Sequence, residues 1–192
     1  MIRTFIAVNF PPAVIDKIAG ITAYLQTQTP GTALKWVAPE NMHLTLKFLG
    51  DVREDRVPEV KECLQEALLH HPTFNISVES LGMYPTASQP RVVWLGINDA
   101  GNLKQIHHNL AKVLKDFDPA PEKRSFSPHL TIARIRQNIS RDIARQVGET
   151  LSQFKVDSLG SFEVQTVHLF KSELTPRGPI YSALFSIPLN QV

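Results

Sequence analysis

The sequence predicts a mixed α and β domain built from two similar halves. Three observations carry that expectation. Strand-like and helix-like segments alternate along the 192 residues, and the order strand–helix–strand–helix occurs twice. The second strand of each half also carries one pattern, His43-Leu44-Thr45-Leu46 and His129-Leu130-Thr131-Ile132.

In the first half, Thr4 to Phe10 reads as a strand. Pro11 to Gln26 reads as a helix with Val14, Ile15, Ile18 and Ile21 on one face. Gln28 to Ala33 is loop, and Met42 to Leu49 is the motif strand, stopped by Gly50-Asp51. Glu54 to His70 is helical, with Val57, Val60, Leu64, Ala67 and Leu68 at helical spacing. Phe74 to Leu81 alternates as a half-buried strand does.

The second half follows the same order. Arg91 to Ile97 is a strand, and Asn102 to Phe117 a helix with Leu103, Ile106, Leu110, Val113 and Leu114 inward. His129 to Ile135 is the second motif strand, and Ile139 to Phe154 a helix N-capped by Ser140. Phe162 to Phe170 and Tyr181 to Leu189 form a closing hairpin around the loop Glu173 to Pro179. The two motif histidines are 86 residues apart, and the strand starts Thr4 and Arg91 are 87 apart. This spacing predicts an internal duplication, residues 4–70 and 91–154, inside one domain spanning 1–192. The short linkers argue against separable domains.

Composition sets the bounds. Hydrophobic content of 43% and charged content of 20% are ordinary globular values, which excludes global disorder. The lone Cys63 forms no internal disulfide and reads as a small apolar residue on a helix. One cysteine also excludes zinc clusters built on several thiolates. No signal peptide is apparent, and no run approaches the roughly 20 apolar residues that span a bilayer. The expectation is a cytoplasmic protein with no membrane partner. Residues 1–96 carry a net charge of −1 and residues 97–192 a net +3. Between Pro119 and Arg145, six basic residues face only Glu122 and Asp142, a local field suited to an anionic ligand.

A strand points residues i and i+2 to one face, so each motif presents a His and a Thr together. Random placement of 7 His and 12 Thr predicts roughly 0.4 His-x-Thr triplets. The chain holds three. The third, His71-Pro72-Thr73, has a proline where a strand needs a donor, and reads as a turn. The other two share their aliphatic positions and equivalent places in the duplicated unit, which puts them on opposite walls of one groove. His70, His107, His108 and His168 lack this context, and the carboxylates Asp51, Glu54, Asp55 and Glu59 charge a helix start. Phe48, Trp94 and Tyr84 have faces a base could stack on, but their strand settings favour the core.

Two imidazoles and two hydroxyls suffice for acid–base chemistry at a phosphodiester. One neutral imidazole deprotonates water while the other, as imidazolium, protonates the departing oxygen. Threonine hydroxyls donate to phosphoryl oxygens as charge builds there. No clustered carboxylates are visible to hold a metal.

These residues resemble the two-histidine (2H) phosphoesterase superfamily, marked by paired H-x-T/S-x motifs. The likeness extends to Phe5–Pro11, Trp36–Asp51, Arg91–Gly96, Phe126–Arg134 and Leu169–Tyr181, and is strongest for the bacterial and archaeal RNA 2′,3′-cyclic phosphodiesterases, formerly called 2′-5′ RNA ligases. The resemblance implies a bilobal α+β fold with antiparallel sheets flanking a central cleft, helices outside, and no metal or other cofactor. It implies RNA ends or cyclic nucleotides as substrates, hydrolysed to a 2′-phosphate; the chain itself is expected to be a monomer. Carried onto this chain, His43 is the proton donor and His129 the proton acceptor, a pair that near-symmetry makes interchangeable. Thr45 and Thr131 hold phosphoryl oxygens, and Arg124 and Arg134 add charge beside the second motif. Arg134 lies three positions past Thr131, so it reaches the cleft where the strand ends or bulges near Ala133. Two other readings accompany this one: ATP-independent joining or cleavage of 2′-5′ RNA linkages, and a non-catalytic module that binds nucleotides or RNA ends.

Overall fold

Nine strands make two sheets in the computed structural model, which describes residues 1–117, 125–176 and 178–190. The strands are β1 (Ile2–Asn9), β2 (Leu34–Trp36), β3 (His43–Val52), β4 (Phe74–Thr86), β5 (Gln89–Asn98), β6 (His129–Ile135), β7 (Ser161–Val164), β8 (Thr166–Thr175) and β9 (Gly178–Pro188). One sheet has the order β3-β1-β8-β9 and the other β2-β6-β5-β4-β7. All pairings between these strands are antiparallel. The helices are α1 (Pro12–Gln28), α2 (Val57–Leu68), α3 (Asn102–Val113) and α4 (Arg141–Ser152). The α+β, two-lobed architecture expected from the sequence is the one observed.

Local chemistry accounts for the helices. Proline at the first turn of α1 has its fixed φ where a missing N–H costs nothing, and Val14, Ile18 and Leu25 turn inward. The start of α3 is held by Asp99, whose carboxylate accepts from the Gly101 and Leu103 N–H groups. Gly101 adopts φ +98°, which favours glycine there. Ser140 caps α4 as expected, its Oγ accepting from the Ile143 N–H at 3.3 Å. No helix among the described residues is long and apolar enough to cross a membrane.

One hydrophobic core joins both lobes. Ile6 and Val8 of β1, Leu44 and Leu46 of β3, and Leu130 and Ile132 of β6 meet Val60 and Leu64 of α2 and Ile106 and Leu110 of α3. The opposite face of β1 carries a smaller cluster, Phe5 and Ala7 with Phe170 and, at its margin, Tyr181. The first sheet is therefore apolar on both faces at β1, and one face belongs to the cleft.

The expected strand Phe162 to Phe170 is two strands. β7 pairs with β4 in the second sheet, whereas β8 pairs with β1 and β9 in the first. The alternation slips phase at Gln165: Phe162 and Val164 are inward before it, Val167 and Leu169 after it. β2 was not expected, being too short to show a period. The strands around Phe74–Leu81 and Arg91–Ile97 extend into one long hairpin. The third His-x-Thr triplet is a connection between α2 and β4, with His71 Nδ1 donating to the Pro72 carbonyl at 2.9 Å.

Candidate active site

The motif strands take equivalent places beside the central strands β1 and β5. Asn9 faces His43 and Ala7 faces Thr45, while Gly96 faces His129 and Trp94 faces Thr131. Both motif strands bulge at the same point. Ile6 pairs with Lys47 and Ala7 with Thr45, leaving Leu46 extra; Val93 pairs with Ala133 and Trp94 with Thr131, leaving Ile132 extra. A bulge puts two consecutive residues on one side and shifts the alternation beyond it. Leu46-Lys47 and Ile132-Ala133 are accordingly buried doublets, and Phe48 and Arg134 follow them as exposed residues. The bulge is what delivers Arg134 to the cleft.

His43, Thr45, His129 and Thr131 line one cleft of about 1310 Å³ between the sheets. Its walls carry Arg3, Lys35, Lys47 and Arg134 and no carboxylate among the described residues. Lys47 is nearly fully buried, on the side of its strand that Ile6 shares. Arg124 lies outside the described residues. No group of three or more potential metal-binding side chains occurs among the described residues.

Each histidine is oriented by the same device. His43 Nδ1–H donates to the Asn41 carbonyl at 2.9 Å, and His129 Nδ1–H donates to the Ser127 carbonyl at 2.8 Å. A carbonyl can only accept, so Nδ1 carries the proton in both rings and Nε2 is left for chemistry. Asn41 closes a 3-10 turn, Pro39–Asn41, whereas Ser127 follows Phe126, which stacks on His107 at 4.3 Å.

The surroundings of the two rings differ. His43 packs against Phe5 at 4.7 Å and Tyr181 at 5.0 Å, the latter edge-on at 86°. Burial lowers the His43 pKa below its usual range, with the Asn41 hydrogen bond pulling the other way. His129 meets Tyr84 edge-on at 5.2 Å and Trp94 at 6.2 Å. Trp94 lies over Gly82, where a Cβ would collide with the indole, and its Nε1 has no partner among the described residues. Burial raises the Tyr181 phenol pKa, opposed by Arg134 and Arg3 nearby.

The structure therefore brings together His43, Thr45, His129, Thr131 and Arg134. It corrects the core reading of two aromatics: Phe48 is 58% exposed, and both Phe48 and Tyr84 line the cleft. His168 lies outside that lining, half-buried, with Nδ1 hydrogen bonded to Ser186 Oγ at 2.9 Å. Sequence reasoning missed Arg3, Lys35 and the Asn41 and Ser127 carbonyls. Arg3 shares the alternation of Phe5 and Ala7, a signal that could have found it.

Comparison with known proteins finds relatives in both sequence and fold. The family model for LigT-like phosphoesterases matches residues 8–94 and again 95–181. The RNA 2′,3′-cyclic phosphodiesterase of Methanothermobacter thermautotrophicus is 33% identical over 94% of this chain and 95% of its own. That of Archaeoglobus fulgidus is 33% identical over 95% and 97%, respectively. A Thermus thermophilus crystal structure superposes with a TM-score of 0.74 at 26% identity, covering 97% of each chain. Escherichia coli LigT complexed with 3′-AMP gives a TM-score of 0.78 at 23% identity, covering 99% of each chain, a likeness of fold.

Proposed function

The chain belongs to the LigT-like phosphoesterase family, and from that premise we infer that it is an RNA 2′,3′-cyclic phosphodiesterase. It opens the terminal cyclic phosphate of RNA to a 2′-phosphate, using its two histidines and no metal. The observation that carries the mechanism is the matched pair of Nδ1-to-carbonyl bonds, at 2.9 and 2.8 Å, beside two threonines in a cationic cleft.

The steps follow from the side chains. Thr45 and Thr131 donate to the non-bridging phosphoryl oxygens, and Arg134 offsets their charge. His129 Nε2 removes a proton from water as the water oxygen bonds to phosphorus. The bond from phosphorus to the 3′-oxygen breaks, and His43 Nε2–H protonates that oxygen. One proton enters at His129 and one leaves at His43, so solvent exchange restores the starting state. The carbonyls of Asn41 and Ser127 fix both rings and favour the imidazolium that each must pass through.

The buried setting of His43 bears on its role. An imidazolium with a lowered pKa gives up its proton more readily, while the bound phosphodiester anion opposes desolvation and loads that proton beforehand. Chelator-treated protein should open a cyclic-ended RNA at the untreated rate, and His43→Ala or His129→Ala should each lose about 10²–10⁴ in kcat. Retention of cyclic-ended RNA without turnover would instead identify a binding module. Joining of a 5′-hydroxyl RNA to the cyclic end would identify the near-reverse reaction.

The whole chain is one two-lobed domain grown from a duplicated unit, residues 4–70 and 91–154. Supporting this, the pairs Asn9–His43 and Gly96–His129 recur 86–87 residues apart, as do the bulges at Leu46 and Ile132. We take the enzyme to act as a monomer in the cytoplasm, where a lone thiol such as Cys63 stays reduced.

A further inference from the structure

We propose that His107 is a positioning residue for His129: its imidazole clamps Phe126, and through Phe126 it holds the Ser127 carbonyl that keeps the proton on His129 Nδ1. The inference rests on the two-histidine reading above and names what keeps the second histidine in its working form. Three observations lead to it.

The first is a difference between the two anchoring carbonyls. The Asn41 carbonyl belongs to the peptide joining Asn41 to Met42, and a peptide is planar, so fixing one end of it fixes the other. The Met42 N–H donates to the Pro39 carbonyl at 3.1 Å, and the Asn41 N–H to the Ala38 carbonyl at 2.9 Å, which locks that unit. The Ser127 carbonyl belongs to a peptide that ends on Pro128, which has no N–H to donate. Among the described residues, no backbone–backbone hydrogen bond holds residues 125–128. That leaves side chains to restrain the second anchor.

The second is the contact that supplies the restraint. Phe126, directly before Ser127, lies flat on His107, with ring centroids 4.3 Å apart and planes 10° from parallel. No other ring pair among the described residues is as close or as parallel. Both rings are half-buried, and Phe126 packs against the hydrophobic core as well.

The third is the mounting. His107 stands on α3, whose start is held by Asp99 and whose Ile106 and Leu110 are fully buried. The same core contains Leu130 and Ile132, the residues on either side of Thr131 in β6. A close-packed interior has little slack, so α3 and the second motif strand are set rigidly against each other. A ring clamped to α3 therefore keeps the Ser127 carbonyl in register with His129 Nδ1. The base in this reading needs Nε2 without a proton. Once the carbonyl drifts away, the proton is free to move to Nε2 and the ring is free to turn.

The test reads the ring nitrogens of His43 and His129 by NMR in the full chain, at a pH where both rings are neutral. In the wild type both should carry the proton on Nδ1. In His107→Ala, His129 should become a mixture of tautomers while His43 stays as it was. On a cyclic-phosphate-ended RNA, kcat should fall about tenfold or more with KM within about twofold, since a small misplacement of a reacting group acts on the rate. His107→Phe keeps a flat ring against Phe126 and should restore both the tautomer and kcat. An unchanged His129 tautomer in His107→Ala, or a His107→Phe variant as impaired as His107→Ala, would overturn the clamp. If His107→Ala loses the His43 signature too, that variant has unfolded. Phe126→Leu then makes the same measurement from the other ring, with the same result expected and the same result fatal. Should the wild type open no cyclic-ended RNA, the phosphodiesterase reading fails by itself, and the tautomer measurement decides the clamp alone.

Discussion

The two lobes solve one problem with the same backbone and different surroundings. Each presents a histidine held through Nδ1 by the carbonyl two residues earlier, a threonine two residues later, and a bulge directly after. Around His43 the neighbours are Phe5, Phe170 and Tyr181, and the residue beyond the bulge is Phe48. Around His129 they are Tyr84 and Trp94, and the corresponding residue is Arg134. The shared geometry leaves the same nitrogen, Nε2, free of a proton in both rings. The different surroundings are what can make one imidazole an acid and the other a base.

Removing either ring breaks the comparison most severely. His43→Ala and His129→Ala should each lower kcat by about 10²–10⁴, and the double variant should fall little further, as the proposed single step with both groups requires. Steady-state rates on cyclic-ended RNA check this. Next in size are the hydroxyls. Thr45→Val and Thr131→Val each remove one hydroxyl donor from the cleft lining and, on the proposed mechanism, should cost about 10² in kcat. A large difference between the two would show that the lobes share the phosphate unequally.

A smaller effect sharpens the asymmetry. Because burial lowers the His43 pKa, the alkaline limb of kcat/KM should fall below the ordinary imidazole value near 6.5. The alkaline limb of kcat should lie higher, since the bound anion favours the imidazolium. Tyr181→Ala opens the His43 site to water and should move that ring's NMR titration upward. If the His43 titration instead tracks the acid limb, the two histidines exchange roles.

The smallest effect is on stability. His43 has a folded pKa below its unfolded one, so the unfolded chain binds more protons as pH falls. Its contribution is full above about pH 6.5 and is lost as pH drops toward the folded pKa. Denaturant midpoints measured across that window should fall less in His43→Phe than in the wild type.

The site was legible in the sequence wherever side-chain chemistry announced it. The duplicated His-x-Thr pattern is written in residue types, and period-two alternation places both groups on one face. The anchoring carbonyls were not legible, since a backbone oxygen has no residue code; only the shared two-residue offset to Asn41 and Ser127 betrays them afterwards. Arg134 depended on a bulge that residue types alone do not fix, and Lys35 on a three-residue strand too short to show any period. The strand change at Gln165 was hidden because both flanking segments have strong strand propensity. Only the slipped phase of their apolar residues separates them.

The most direct test is single-turnover opening of a cyclic-phosphate-ended RNA by chelator-treated wild type, His43→Ala and His129→Ala, with the product's phosphate position determined. Two carbonyl-anchored histidines acting without a metal predict a 2′-phosphate at the full rate from the wild type and a loss of at least a hundredfold in each variant. Loss of wild-type activity on chelation, or an unchanged rate in either variant, would contradict the account.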